Sequence, residues 1–257
     1  MEILLISVIA FVTAILTFFS GFGLGTILLP VFAVFFPAEV AVALTGVVHF
    51  SNNLFKATLV GMKADKSVLL RFGIPAVIAS FAGAWLLLRI TGMPALLVYE
   101  LGSGQYEITP VKLTIAILLL VFSMLEILPF AQRLQFSREK MPLGGILSGF
   151  FGGLAGIQGA IRSAFLIRAG LSKESYIATG VVIACMVDIT RLSVYVSRFR
   201  TTHLHENMLL VITAAIAAMA GAFLGNRLLK KVTLKSIQLL VAVLLILVSF
   251  ALGAGLI

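Results

Sequence analysis

The sequence is built from long apolar blocks that are separated by short segments of glycine, proline and charged residues. A helix needs about 20 apolar residues to cross the roughly 30 Å hydrocarbon core of a bilayer, and most of the blocks reach that length. Of the 257 residues, 61% are hydrophobic and 11% are charged, a balance that excludes an ordinary water-soluble domain. The pattern predicts an all-α polytopic protein, integral to the inner membrane, with apolar blocks at 3–36, 38–60, 67–91, 111–130, 143–169, 174–197, 206–229 and 234–256.

Two of these blocks are interrupted by glycine. The first contains SGFGLG at residues 20–25, and the fifth contains GGLAGIQG at residues 152–159. We call these runs the first tip and the second tip. Because glycine is a poor residue for a helix interior, each block is expected to form two short helices that meet at its tip. The predicted tip glycines are Gly21, Gly23, Gly25, Gly153, Gly156 and Gly159.

Three short motifs occur once in each half of the chain and in the same order. SGF at 20–22 recurs at 148–150, TGVV at 45–48 recurs at 179–182, and GAWL at 83–86 recurs as GAFL at 221–224. Three matches in register favour an internal duplication. The predicted organisation is a first transmembrane repeat over 1–132, a cytoplasmic linker over 133–142 and a second transmembrane repeat over 143–257.

The distribution of lysine and arginine indicates how the two repeats are oriented. If each interrupted block is a hairpin that returns to its starting side, the halves are inverted, with 12 basic loop residues on one side and 4 on the other. If the blocks cross once, the halves are parallel and the count is 8 against 8. Cytoplasmic loops carry an excess of lysine and arginine, so the count favours two inverted repeats, each a hairpin plus three transmembrane helices. The four residues then predicted outside are Arg89, Lys112, Arg198 and Arg200.

Small residues recur at four-residue spacing in two other blocks. Ala79 and Gly83 form one such row, and Ala217, Gly221 and Gly225 form the other. Rows of this kind let helix backbones approach closely, so they predict helix–helix contacts rather than a functional site.

Several polar residues interrupt the apolar blocks away from their ends. Charges near the centre of a membrane helix cost about 2.5–3.5 kcal/mol each, so they are expected to face a cavity or a partner. Asp188 and Arg191, three residues apart, could bind substrate or form an internal ion pair, and Lys56 could bind substrate or extend to the cytoplasmic end of its helix. The polar face of block 38–60, at positions i, i+3, i+4 and i+7, consists of His49, Asn52, Asn53 and Lys56.

Arg162 lies three residues beyond the second tip and has no acidic residue within a helical turn along the chain. Gln158 and Ser163 are its nearest polar neighbours in sequence. A guanidinium beside the backbone N–H groups of a helix start can bind an oxyanion through two parallel hydrogen bonds. The alternative is an ion pair with Asp188 or Glu126 on another helix. Arg162, Gln158 and Ser163 are together predicted to bind a small anion.

The first tip followed by Pro30, the ALTG stretch at 43–46 and their second-half counterparts resemble the sulfite exporter TauE/SafE family of membrane permeases. The resemblance covers nearly the whole chain. It implies an inner-membrane carrier for sulfur-containing anions such as sulfite, thiosulfate or organosulfonates, driven by an ion gradient. The second tip departs from the family pattern of a glycine run followed by proline, so Gln158 and Arg162 could select a different or larger anion.

The leading hypothesis is therefore a secondary transporter that works by alternating access, with a proton as the coupled ion and His49 or Asp188 as its carrier. An anion channel and an intramembrane enzyme acting on a lipid-linked substrate are the alternatives. The sequence contains no phosphate-binding loop and no motif of a metalloprotease or serine hydrolase. It predicts a small anionic substrate and the bilayer as partners, no nucleic acid, no cofactor and no metal, and leaves the oligomeric state open.

Overall fold

The structure is a computed structural model, and it describes residues 2–20, 24–128, 135–199, 207–228 and 235–257. The helices follow the apolar blocks of the sequence. Each interrupted block gives two helices, as predicted, and the other blocks give one each. The helices of the first half are α1 (Glu2–Ser20), α2 (Leu24–Phe35), α3 (Ala38–Val60), α4 (Lys66–Ile90) and α5 (Pro110–Ile127).

The second half repeats this order of elements. Its helices are α6 (Met141–Ala155), α7 (Gly159–Leu166), α8 (Lys173–Phe199), α9 (Met208–Leu228) and α10 (Lys235–Gly253). Short 3-10 turns at Gly61–Lys63 and Arg138–Lys140 follow α3 and precede α6. Within α4, Leu69–Gly73 forms a π-helical turn, which commonly marks an irregular and functional stretch of a helix.

The two halves interlock rather than forming separate bodies. α4 packs on α6, α1 on α9, α3 on α8 and α5 on α10, so each of these contacts joins the first half to the second. At the first two contacts the helix backbones nearly touch. A Cβ placed on Gly83 would lie 2.1 Å from the carbonyl oxygen of Phe150, and one on Gly221 would lie 2.2 Å from that of Phe11. The predicted role in close packing is confirmed for Gly83 and Gly221.

The outer surface of the bundle is apolar. Large side chains such as Leu70, Ile78, Leu247 and Phe250 are each more than 60% exposed, as expected for residues that face lipid tails. Within the described residues, Lys66–Ile90, Lys173–Val196 and Met208–Gly225 are long and apolar enough to cross a bilayer. Shorter apolar helices accompany them at Ile3–Thr17, Leu24–Phe35, Pro110–Leu125 and Ala242–Gly253.

Within the described residues, a two-stranded antiparallel hairpin departs from the all-α prediction. Strands β1 (Leu97–Leu101) and β2 (Gly104–Ile108) connect α4 to α5, and the turn uses Gly102 at φ 64°. The Tyr99 hydroxyl donates to the carbonyl of Ala254 at 2.5 Å, so the hairpin is held against the end of α10. The tyrosine–tyrosine pair and the Gly-Ser-Gly turn are the sequence signals that indicate it.

Candidate functional site

A buried cluster of charged side chains joins α3 to α8 near the middle of the bundle. Asp188 is fully buried and accepts at Oδ1 from the Nε of Arg191 at 2.9 Å, with Nη2 of the same guanidinium 2.7 Å away. Its other oxygen, Oδ2, lies 2.6 Å from Nδ1 of His49 and accepts from Nδ2 of Asn53 at 3.5 Å. The internal ion pair between Asp188 and Arg191 is therefore present. The cluster as a whole spans the two halves of the chain, because His49 and Asn53 belong to the first.

The two tips meet at this cluster. A Cβ placed on Gly25, in the first turn of α2, would lie 3.2 Å from the carbonyl oxygen of Gly156 and 3.6 Å from Cδ2 of His49. Gly156 caps the C-terminal end of α6 with φ 76°, a left-handed conformation that glycine adopts without strain. A Cβ at Gly156 would lie 2.5 Å from Nη1 of Arg191. Both tips thus lie against the charged cluster, and at Gly156 a side chain would collide with Arg191.

Arg162 lies beside the tips and outside the Asp188 ion pairs. It is 8% exposed, and its Nη1 has no hydrogen-bond partner in the part of the chain that the structure describes. Its Nε approaches the second TGVV motif, 3.5 Å from where a Cβ of Gly180 would stand. The ion pairs of Asp188 within the described residues are with His49 and Arg191, so the predicted alternative of an Arg162–Asp188 ion pair is not observed there. The side chain of Glu126, the other alternative partner, lies outside the described residues.

Two side-chain amides, one on the polar face of α3 and one in the second tip, are also buried. Asn52 is fully buried and Gln158 is 1% exposed, and neither side-chain amide has a hydrogen-bond partner among the described residues. The backbone of Gln158 is fixed, since its carbonyl accepts from the Ser148 hydroxyl at 3.1 Å and from the Arg162 backbone N–H at 3.1 Å. Buried polar groups without partners cost free energy, so a set of them beside a buried guanidinium is typical of a binding site for a polar ligand.

Lys56 and Ser163 complete the predicted set. Lys56 is 5% exposed, so it does not extend to the aqueous end of α3, and its ammonium lies within electrostatic range of Arg162. Ser163 is partly buried in α7, one residue beyond Arg162. Among the buried side chains of the described ranges, Lys56, Arg162 and Arg191 carry positive charge and Asp188 carries the negative one. The buried charge is therefore positive in sum, even with His49 neutral.

The structure changes the placement of one predicted tip glycine. Gly153 lies inside α6, and a Cβ there would stand 2.0 Å from the carbonyl oxygen of Ser80, so this glycine allows α6 to pack on α4. Gly156 and Gly159 do flank the break, the first as the cap of α6 and the second as the start of α7. Gly21 and Gly23 lie outside the described residues.

Sequence reasoning missed several buried contacts around the cluster. The Tyr195 hydroxyl donates to the carbonyl of Gly153, which ties α8 to the end of α6. Thr179, the first residue of the second TGVV motif, accepts from the backbone N–H of Asp65 at 2.8 Å, whereas the hydroxyl of Thr45 in the first motif has no partner within the described ranges. The repetition of TGVV could have indicated both threonines, because the motif lies beside the polar face in each half.

Replacement of Gly156 by alanine is expected to disrupt the second tip. The left-handed backbone costs a residue with a Cβ about 1–2 kcal/mol, and the methyl group would in addition displace the Arg191 guanidinium. We expect the midpoint of thermal unfolding in detergent to fall by at least about 6 °C, taking about 2–4 °C per kcal/mol for a chain of this size.

Gly170→Ala is the matched control for this change. Gly170 has φ 73°, and a Cβ there would meet nothing within 4 Å, so the variant carries the same backbone strain without the contact. The difference between the unfolding midpoints of the two variants therefore measures the effect of displacing Arg191. Equal losses of thermal stability would mean that Arg191 does not depend on the shape of the tip.

Comparison with known proteins supports what the fold and the site indicate. The family model for the sulfite exporter TauE/SafE matches residues 6–252, from the first turns of α1 to the end of α10. No curated protein and no solved structure matches the chain. The family match covers both tips, the polar face of α3, Arg162 and the α8 ion pair, and on that coverage the chain belongs to the sulfite exporter TauE/SafE family.

Proposed function

We propose that this chain is a secondary transporter that moves a small sulfur-containing anion, such as sulfite, thiosulfate or an organosulfonate, across the inner membrane. The family is one of membrane transporters for sulfur anions and not of enzymes. The buried guanidinium of Arg162, with Nη1 lacking a partner in the described ranges, carries the proposal that this residue binds the anion. A tetrahedral or pyramidal oxyanion offers the acceptors that such a guanidinium requires.

The surroundings of Arg162 support an anionic ligand. Helix α7 begins at Gly159, and the orphan N–H groups of its first turn, together with its positive dipole end, favour negative charge at the second tip. The side-chain amides of Asn52 and Gln158 are buried donors without described partners. Lys56 and Arg191 add positive charge, and Ser163 adds a hydroxyl beside Arg162. An anion bound here would offset buried positive charge that lipid alone would disfavour.

We further propose that the two halves are inverted repeats and that transport proceeds by alternating access. The observed packing supports a two-fold relation, because α4 on α6 and α1 on α9 are the same contact if α1 corresponds to α6 and α4 to α9. By the same correspondence, α3 packs on α8 and α5 on α10, each helix on its own counterpart. In transporters built from inverted repeats, the substrate site lies near the midplane between the repeats.

Replacement of Arg162 by alanine is expected to abolish saturable anion uptake. The test measures uptake of radiolabelled sulfite, thiosulfate and a small sulfonate into proteoliposomes with an imposed proton gradient. We expect at least a 100-fold loss of uptake in Arg162→Ala, because the charge and both parallel hydrogen bonds are lost. Arg162→Lys keeps the charge but loses the planar fork, so we expect a loss of about 10-fold, mainly as weaker binding.

Arg168→Ala is the control for this experiment. Arg168 is exposed two residues beyond the end of α7, where its Nε donates to the side chain of Gln135 at 2.5 Å. We expect its uptake to match the wild type. Uptake that is saturable in the wild type and unchanged in Arg162→Ala would show that the anion binds elsewhere. Uptake that rises linearly with anion concentration would instead support the anion channel.

A further inference from the structure

The charged cluster defines which of its members can exchange a proton. Asp188 accepts from the Arg191 guanidinium on one oxygen and faces Nδ1 of His49 at 2.6 Å on the other. A carboxylate in contact with a guanidinium and an imidazole is held in its ionised form. Nδ1 of His49 must then carry hydrogen, since it faces a carboxylate that only accepts. The remaining ring nitrogen, Nε2, is the atom that can be either bare or protonated.

Asn53 lies beside that remaining nitrogen. Its Nδ2 is 3.0 Å from Nδ1 and 3.2 Å from Nε2 of His49, one helical turn away on α3. Because Nδ1 carries the hydrogen that faces Asp188, Nε2 is the ring nitrogen that can accept from this amide N–H when the imidazole is neutral. When Nε2 is protonated it becomes a donor, and the Asn53 amide must turn its oxygen toward the ring. The amide can thus satisfy either protonation state of His49.

We propose that His49 is the site where the coupled proton binds, on Nε2, and that Asn53 is the positioning residue that accommodates both of its states. This inference rests on the proposed function. In each cycle an N–H bond forms at Nε2 with a proton taken from water on the side of higher proton concentration. The same bond breaks on the other side, and the proton returns to water there. Asp188 and Arg191 remain ionised throughout and hold the ring by Nδ1.

Charge links this proton to the anion. The groups around His49 are Lys56 on its own helix, Asp188 and Arg191 on α8, and Arg162 on α7, and both arginines lie within electrostatic range of the imidazole. The other helices that pack on α3 carry few titratable residues. α2 has none, and α9 has Arg227 in its last turn. α5 has Lys112 in its first turn and Glu126 near its end. A proton on His49 adds to a positive cluster, and an anion at Arg162 offsets it. Each ligand therefore favours the other, which couples them as a symport.

The location of His49 suits exchange with only one side at a time. Its side chain is 3% exposed, and that of Asp188 is fully buried. A Cβ placed on Gly25 would lie 3.6 Å from Cδ2 of His49 and 3.2 Å from the carbonyl oxygen of Gly156, so the ring lies close to both glycines. The proton site is thus shielded from water in this conformation.

The test compares two modes of transport in the same proteoliposomes, with thiosulfate as the probe because it remains a dianion over the pH range used. Exchange of internal for external thiosulfate requires anion binding and movement of the protein, whereas accumulation against a thiosulfate gradient also requires proton coupling. We expect His49→Gln to lose accumulation above the equilibrium ratio while exchange remains saturable. Arg162→Ala is expected to lose both.

A second variant keeps the inference testable if His49→Gln is poorly folded. Asn53→Asp places a carboxylate beside Nε2 and so favours the imidazolium. We expect the pH of half-maximal accumulation to rise by at least one unit, a shift that a purely structural role would not produce. Accumulation that persists in His49→Gln, or an unshifted pH profile in Asn53→Asp, would overturn the proton site alone. Absence of both thiosulfate and sulfite flux in the wild type would instead overturn the proposed function.

Discussion

Asp188→Asn is expected to lower the midpoint of thermal unfolding by about 10 °C. The fully buried carboxylate pairs with Arg191 and His49. Asparagine has nearly the same shape, but its neutral amide leaves the Arg191 guanidinium buried without a counter-charge. Breaking a buried ion pair in this way costs about 3–5 kcal/mol, which for a chain of this size corresponds to roughly 6–20 °C. The fall in the midpoint is measured by thermal unfolding of the purified variant and wild type in detergent.

Two further variants show whether the missing charge is the cause. Glu100→Gln removes an exposed carboxylate from the β1 strand, and we expect its unfolding midpoint to stay within about 2 °C of the wild type. The double change Asp188→Asn with Arg191→Gln removes both charges, so we expect it to recover at least half of the loss. An Asp188→Asn midpoint equal to that of the wild type would show that the buried carboxylate does not stabilise the fold through Arg191 and His49.

Gly149→Ala is expected to force α4 and α6 apart. Three glycines four residues apart on α6, at positions 145, 149 and 153, face the backbone of α4, and a Cβ on Gly149 would lie 2.0 Å from the carbonyl oxygen of Ala76. Backbone atoms of a packed helix cannot rotate away as a side chain can. We therefore expect a loss of about 3 kcal/mol, at the upper end of the usual cost of overpacking, and a fall of about 6–12 °C in the unfolding midpoint.

Gly61→Ala is the control for helix contacts. Gly61 has φ −58°, and a Cβ there would stand 3.6 Å from Ala57 Cβ and 3.8 Å from Val182, which is ordinary packing distance. We expect this variant to equal the wild type or to be slightly more stable, because alanine favours the helical backbone. If Gly149→Ala were as stable as Gly61→Ala, the two helices would have room that the structure does not show.

The candidate site follows partly from the sequence and partly from the fold. The i, i+3, i+4 and i+7 spacing of His49, Asn52, Asn53 and Lys56 placed them on one helix face, and all four are buried. The three-residue spacing of Asp188 and Arg191 likewise indicated their ion pair. The contact of His49 with Asp188 joins positions 139 residues apart. It depends on how α3 is rotated against α8, which no local spacing records.

The roles of the glycines also follow partly from the sequence and partly from the fold. The two runs at 20–25 and 152–159 indicated where helices break, because helix interiors disfavour glycine wherever it occurs. Glycines that serve close packing recur at four-residue spacing, but that spacing does not show which helix they face. Gly153 was predicted at a tip and instead lies against Ser80, since the same four-residue spacing can face any neighbouring helix.

By itself the sequence determined the membrane class, the lengths of the helices, the two interrupted blocks and the polar faces, since each depends on hydrophobic length or on spacing within one helix. The tertiary structure alone decided that the tips meet at Gly25 and Gly156, that Asp188 is also paired with His49, and that Arg162 is left beside them. These contacts arise between helices, where the register and rotation that give the closest packing select one arrangement among many compatible with the same pattern.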